Sequence, residues 1–257
     1  MVPSVNEVTY SMSQAQDTFT IYVDFDETFI NENFLIKWVL FVLLESGMSV
    51  TKKLFFSLKS FYRGVLSLLS ASHPGSSKWG VRLAYKTFEE IEIDIVNEFI
   101  SYERSNGHML SLNTKVIRIL EHSIHYLAQY VSTPHITIYS QGTFKYAIET
   151  LLKREDVATQ LKNSGITIGS VRANTLKRIH NKFTGELSSS TITKHTRVEE
   201  LSKNSANSLF IGDNKDEEAI KKIGKGNINF LNYSKVKLES LDSILRDVVS
   251  NREKKEV

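Results

Sequence analysis

The sequence predicts an α/β protein with a doubly wound parallel sheet and a helical segment inserted after the first strand. Two observations carry this. Short β-branched and aromatic runs alternate with amphipathic helical patterns along most of the chain. One long stretch, residues 31–110, has helical patterns but no convincing strand. The bulk composition fits: of 257 residues, 41% are hydrophobic and 24% charged, which is globular and excludes wholesale disorder.

The first expected strand is FTIYVD at 19–24, followed by HITIYS at 135–140, ITIGSV at 166–171, SLFIG at 208–212 and a short fifth at 228–231. Helical patterns fall at 113–130, 144–154, 196–203, 216–223 and 238–249. Within the strand-free stretch, 34–46, 50–70, 78–87 and 88–103 suit helices, and SASHPGSSK around Pro74 reads as a loop. The expected division is a core of 1–31 and 111–257 with a helical unit of 32–110. An excursion after a strand's carboxyl end lies over the crevice where open α/β sheets bind ligands. The tail NREKKEV is charged and expected to fray.

Composition also excludes chemistry. There is no cysteine, so disulfides, thiolate catalysis, Fe–S clusters and Cys-based zinc sites are ruled out. The 32 basic and 29 acidic residues leave a net charge of +3, which gives no argument for nucleic acid. The N-terminus lacks a signal-peptide pattern. The most apolar run, FLIKWVLFVLL at 34–44, is too short to span a bilayer, which needs about 20 residues. No transmembrane segment and a cytoplasmic location are therefore expected. His122 and His125 have zinc-compatible spacing but read as a solvated helix face.

Four short runs can carry chemistry. YVDFDETFIN ends a strand on Asp24 and places Asp26 and Thr28 at two-residue steps beyond. Two carboxylates at a strand end repel unless a cation lies between them, and a hard divalent ion such as Mg²⁺ suits oxygen ligands. Alone, the cluster also reads as a helix cap. ITIYSQGT ends a strand on Ser140, and Gln141 and Gly142 follow. A hydroxyl and free backbone N–H groups before a helix suit a phosphate, although a plain Ser N-cap has the same pattern. Lys194 stands at a helix start, where the dipole disfavours a cation without an anionic partner. LFIGDNKDEEA ends a strand on Gly212–Asp213, with Asp216 and Glu217 beyond; in isolation this reads first as a strand-to-helix turn with Asp213 as N-cap.

Taken together and in this order, the four runs resemble the motifs of the haloacid dehalogenase (HAD) superfamily of phosphohydrolases. A helical insert between the first two motifs resembles the subclass that includes phosphoserine phosphatase, and so does the VRANTLKRIHNKFTGEL stretch at 171–187. The resemblance implies a Rossmann-like core with a helical cap and a phosphomonoesterase. Asp24 would be the nucleophile of an aspartyl-phosphate, and Asp26 the acid and base. Mg²⁺ would be held by Asp24, the backbone carbonyl of Asp26 and Asp213, with Asp216 or Glu217 as a further ligand. Ser140, Gln141, Gly142 and Lys194 would bind the phosphoryl group, and Thr28 would help position the loop. A phosphotransferase using the same intermediate, or a non-catalytic binding module docking through its basic cap, are the alternatives.

The chain departs from that pattern in places. Glu27 follows Asp26, where many such phosphatases carry a small residue. Asp216 lies three residues after Asp213, and Glu217 occupies the commoner four-residue spacing. Asn33 stands where phosphoserine phosphatases carry a glutamate for the substrate amine, and Arg82 is out of register with their cap arginine. These point away from phosphoserine and leave a phosphorylated small molecule of another kind. Between Phe34 and Lys86 there are eight basic residues and one acidic residue among many large apolar ones. The stretch also loosely resembles the phosphatase-like domain fused to some prenyltransferases. An amphipathic phosphate ester, or peripheral contact of the cap with a membrane, is the corresponding expectation. A self-packed cap with solvated lysines is the alternative.

Overall fold

The computed structural model describes residues 18–59, 77–104, 107–131, 134–188, 191–223 and 228–256. The loop expected around Pro74 and the second half of the helix expected over 50–70 lie outside them.

Five parallel strands form the central sheet. They are β1 (Thr20–Asp24), β4 (His135–Ser140), β5 (Ile168–Ala173), β8 (Ser208–Gly212) and β9 (Phe230–Asn232), in the order β5-β4-β1-β8-β9. β1 pairs with β4 from Thr20↔His135 to Asp24↔Tyr139, and with β8 from Thr20↔Ser208 to Val23↔Ile211. These three strands are apolar and buried because helices cover both faces. The chain runs outward from β1 to β4 and β5, then returns to β1's other side with β8 and β9. This reversal opens a crevice at the carboxyl ends of β1, β4 and β8.

The helices follow from capping and periodicity. In α4 (Thr114–Leu127), Asn113 caps the N-terminus through Lys115 N at 3.1 Å and Val116 N, and Val116, Ile117, Leu120 and Leu127 face the core. α5 (Lys145–Leu152) and α6 (Glu155–Asn163) join β4 to β5, α7 (Lys194–Lys203) precedes β8, α8 (Asn214–Ile223) precedes β9, and α9 (Leu241–Glu256) closes the chain. α6 was not expected from sequence. It buries just Val157 and Leu161, a thin apolar signal carried by one pair four residues apart. α9 runs through the charged tail to Glu256, where fraying was expected.

Between β1 and α4 lie α1 (Phe34–Leu44), a helical stretch over 50–59, α2 (Ser77–Tyr85), a 3₁₀ turn at Lys86–Phe88 and α3 (Ile93–Ser101). A two-residue ladder, β2 (Glu103–Arg104) with β3 (Gly107–His108), follows in a region read as strand-free. Trp38 gathers this segment. Its ring stacks on Phe88 at 5.2 Å and meets Phe99 at 5.5 Å and Phe56 at 6.4 Å. Phe34 and Phe88 in turn touch Phe144 at the start of α5, so the aromatic layer is continuous with the sheet's core.

Two sets of backbone bonds tie the segment to the sheet-bearing part. At its neck, Ile30 bridges Leu112, Asn31 N donates to Ser111 O at 3.0 Å, and Asn113 N donates to Phe29 O at 2.9 Å. Farther out, the hairpin of β6 (Leu176–Ile179) and β7 (Lys182–Leu187) recruits residues 90–93. Glu90 N donates to Phe183 O, Phe183 N to Ile91 O and Ile93 N to Asn181 O, each at 2.9 Å. This pairing overrides helix propensity, so the helix expected from Phe88 begins at Ile93. Among the described residues, no helix is long and apolar enough to cross a membrane.

Candidate active site

The crevice receives side chains from four loops. β1 delivers Asp24 at its end, and a tight π-type turn over Phe25–Phe29 follows. Within it, Asp26 is extended and Glu27 has φ +57, a left-handed conformation that costs a non-glycine residue. Three contacts hold Glu27 there. Its N–H donates to Glu32 O at 3.1 Å, its carbonyl accepts from Tyr233 Oη at 2.6 Å, and its carboxylate meets Lys215 Nζ at 2.5 Å.

Asp26 is firmly placed. Its Oδ1 accepts from Phe34 N at 2.9 Å, and Thr143 Oγ1 reaches Oδ1 at 3.0 Å and Oδ2 at 2.9 Å. Ser140 Oγ donates to Oδ2 at 3.4 Å and accepts from Thr143 N at 2.9 Å. Burial pushes the Asp26 carboxyl up to about 6, although these donors pull it back. Gly142 lies so close that a Cβ there would stand 2.9 Å from Asp26 Oδ2. The Gln141 carbonyl accepts from Tyr85 Oη at 2.8 Å and Asn174 Nδ2 at 3.1 Å. Asn174 also binds both polar groups of the Ile192 backbone, which ties this loop to the approach to α7.

The cation beside Asp24 is Arg197, three residues beyond the lysine singled out in the sequence. Its Nη1 bonds Asp24 Oδ1 and its Nη2 bonds Asp216 Oδ1. Arg197 is buried on α7's inner face, 5.0 Å from the Phe210 ring and 5.9 Å from that of Tyr139. Lys194, the first residue of α7, is half-buried and makes no hydrogen bond or ion pair among the described residues. One helical turn separates the two positions. The sequence reading favoured the helix start, while helical spacing turns Arg197 inward, in line with the buried Val198 and Leu201. The unanticipated participants are thus Arg197 and Thr143. Burial and the neighbouring Asp216 carboxylate push Asp24 well above the usual range, against the pull of Arg197. The second oxygen of Asp24 accepts no hydrogen bond among the described residues.

β8 contributes Asp213, whose Oδ1 caps α8 by accepting from Lys215 N at 2.8 Å and Asp216 N at 3.0 Å. Asp216 is buried against Arg197. Glu217 turns elsewhere. It accepts from Lys221, Lys235 and Asn232, which hold it at about 2. Thr28 is wholly buried, and its hydroxyl finds no partner among the described residues.

The donor set is compatible with a hard cation. Asp24, Asp26, Asp213 and Asp216 are all oxygen donors and carry four potential negative charges, against the single guanidinium that bonds two of them. No group of three or more His, Asp or Glu side chains among the described residues is poised to hold a metal. A Mg²⁺ here would rest on two carboxylates and a carbonyl and keep several waters, which is its usual habit.

No family model matches the chain, and no curated protein matches it in sequence. Its fold does match solved structures. A HAD family hydrolase from Salmonella enterica serovar Typhi superposes with a TM-score of 0.52 at 13% identity, covering 85% of this chain and 68% of that one. A probable phosphoserine phosphatase from Vibrio cholerae gives 0.52 at 14% identity, over 93% and 68%. A phosphoserine phosphatase solved as a phospho-aspartyl intermediate analogue gives 0.47 at 16%, over 80% and 83%. The chain therefore has the α/β fold of the HAD family hydrolases, in its phosphoserine phosphatase-like form.

Proposed function

We propose that this protein is a phosphomonoester hydrolase that works through an aspartyl-phosphate on Asp24. The observation that carries the proposal is the pairing at the end of β1. One carboxylate, Asp24, keeps an oxygen free of hydrogen bonds beside a buried guanidinium. The other, Asp26, is held in place by Ser140 and Thr143, and burial pushes its carboxyl up to about 6. Two carboxylates in different environments suit two different roles.

In this scheme Asp24 attacks phosphorus in line, and the ester oxygen leaves with a proton from Asp26. Asp26 then takes a proton from the water that attacks the acyl phosphate, and Asp24 departs as carboxylate. Ser140 and the backbone of Gln141 and Gly142 bind phosphoryl oxygens, and Arg197 holds Asp24 in place and offsets developing charge. Mg²⁺, held by Asp24, Asp213 and the Asp26 carbonyl, would neutralise phosphate oxygens when bound. Thr28 is buried within the turn. The substrate is a phosphorylated small molecule other than phosphoserine, given Asn33 in place of an amine-binding acid.

The test is phosphate release from an aryl phosphate with and without Mg²⁺, alongside Asp24→Asn. Metal-dependent turnover that Asp24→Asn abolishes in a folded protein supports the scheme. Near-wild-type turnover in the variant overturns covalent catalysis by Asp24.

A further inference from the structure

α1 is apolar at every position except Lys37, yet just one side of it is buried. Phe34, Trp38, Phe41 and Val42 face inward. Ile36, Leu40 and Leu44, four residues apart, form a line on the outside, with Ile36 59% and Leu44 65% exposed. The helical stretch 50–59 repeats the arrangement. Phe56 points in and meets Trp38, whereas Val50, Leu54 and Leu58 form an outward line with Phe55 beside it. Val50 is 82% exposed and Phe55 68%. Large apolar side chains in contiguous exposed rows mark an interaction surface on a soluble protein.

Charge identifies the occupant. The stretch 50–59 has no acidic residue, and helical spacing puts Lys52 on one flank of its apolar row and Lys53 on the other. Lys37 stands beside the row on α1. None of the three makes an ion pair among the described residues, whereas Lys59 is bound to Glu89 and Glu45 accepts from Tyr102. An apolar face edged by lysines lets the apolar side chains enter a hydrocarbon boundary while the ammonium groups stay at the level of anionic headgroups. A second copy of the chain fits poorly, because a two-fold contact through these rows would bring lysines against lysines. The ten described helical residues, 50–59, extend about 15 Å, and no helix among the described residues is long and apolar enough to cross a membrane.

We propose that the outward faces of α1 and of the helix over 50–59 dock this protein on an anionic lipid surface. The inference stands on these helices alone and does not depend on the activity proposed above.

The test is co-sedimentation of the full chain with vesicles of phosphatidylcholine alone and of equimolar phosphatidylcholine and phosphatidylserine. Binding to the anionic vesicles at low salt, weakened by added salt, is expected. Phe55→Glu combined with Leu58→Glu should weaken it by tenfold or more. Lys52→Glu combined with Lys53→Glu should weaken it by about thirtyfold or more on the anionic vesicles. All four positions are at least partly exposed, so circular dichroism and the melting temperature should remain those of the wild type. Absence of wild-type binding at low salt overturns the proposal, as does undiminished binding by Phe55→Glu with Leu58→Glu. A lipid-free dimer that the same variant dissociates also overturns it, in favour of a second copy.

Discussion

Arg197 faces two carboxylates from a buried position, and this makes it the most informative single residue to change. Arg197→Met leaves Asp24 and Asp216 without their cation. The loss of stability should be about 3 kcal/mol, the lower end for a broken buried pair. Phosphate release should fall by a hundredfold or more. Lys194→Met should retain most of the activity and nearly all the stability, since the Lys194 ammonium has no partner among the described residues. Denaturant titration and kcat of the two variants decide between them; a greater loss in Lys194→Met would place the catalytic role at the helix start. The comparison also shows what was legible at this scale. Asp24 and Ser140 stand out because each ends a strand, and Asp26 and Asp213 because each follows a strand end within two residues; a strand end is readable from a hydrophobic run. Arg197 and Thr143 do not, because their roles depend on how a helix and a turn are rotated. The Glu27 clamp was visible only as a departure from a resemblance; its partners, Lys215 and Tyr233, lie far along the chain.

Strands of the central sheet could be read from sequence because burial on both faces leaves continuous apolar runs, and β4 and β8 fall at the expected residues. Elements whose form depends on distant partners could not. Residues 90–92 stay out of the helix because the β6–β7 hairpin hydrogen-bonds to Glu90, Ile91 and Ile93, and Gly185 packs closely against Lys86 and Glu89. Its φ is +70, and a Cβ there would lie 3.0 Å from Glu89 Cβ and 3.1 Å from Lys86 Cα. Gly185→Ala should therefore destabilise by at least about 1–2 kcal/mol from the left-handed backbone alone. It should also speed amide exchange at Glu90 and Phe183 more than in β1; uniform exchange across both would mean that the hairpin does not hold the segment separately. A second tie is Arg154, before α6. It donates to Ile100 O and Leu110 O, each at 2.7 Å, and to Asp156. Burial opposes ionisation of Asp156, but Arg154 outweighs it and holds the carboxyl below its usual range. A depressed folded-state pKa gives stability that is fully present above the unfolded value, about 3.9, and is lost as pH falls through the folded one. Asp156 is 46% exposed, so solvent screening limits the effect to about 1 kcal/mol or less. Asp156→Asn should thus melt lower than wild type at pH 7, with the gap closing on acidification; a gap that widens in acid would contradict this linkage.

At the scale of the whole molecule, the fold concentrates negative charge at one edge of a protein whose net charge is +3. β1 and the β8–α8 connection bring Asp24, Asp26, Asp213 and Asp216 to the sheet's carboxyl edge, and Arg197 bonds two of them. In the proposed scheme that concentration would make the folded state responsive to a divalent cation, because a ligand that binds the folded form alone stabilises all of it. Mg²⁺ at a hundred times its dissociation constant should add about 2.7 kcal/mol. In a chain of this size that corresponds to a rise in melting temperature of roughly 5–10 °C. Asp213→Asn should remove most of the rise. Glu217→Gln should keep it, because that carboxylate is already engaged by Asn232, Lys221 and Lys235. This pair of variants separates the two acids that sequence spacing left open beside Asp213: retention in Glu217→Gln leaves Asp216 as the acid coupled to the site through Arg197. Thermal melts in Mg²⁺ and in chelator make the comparison without any substrate. A wild-type melting temperature indifferent to Mg²⁺ would remove the metal from the scheme, whereas a rise lost in Glu217→Gln would move the ligand to the four-residue spacing.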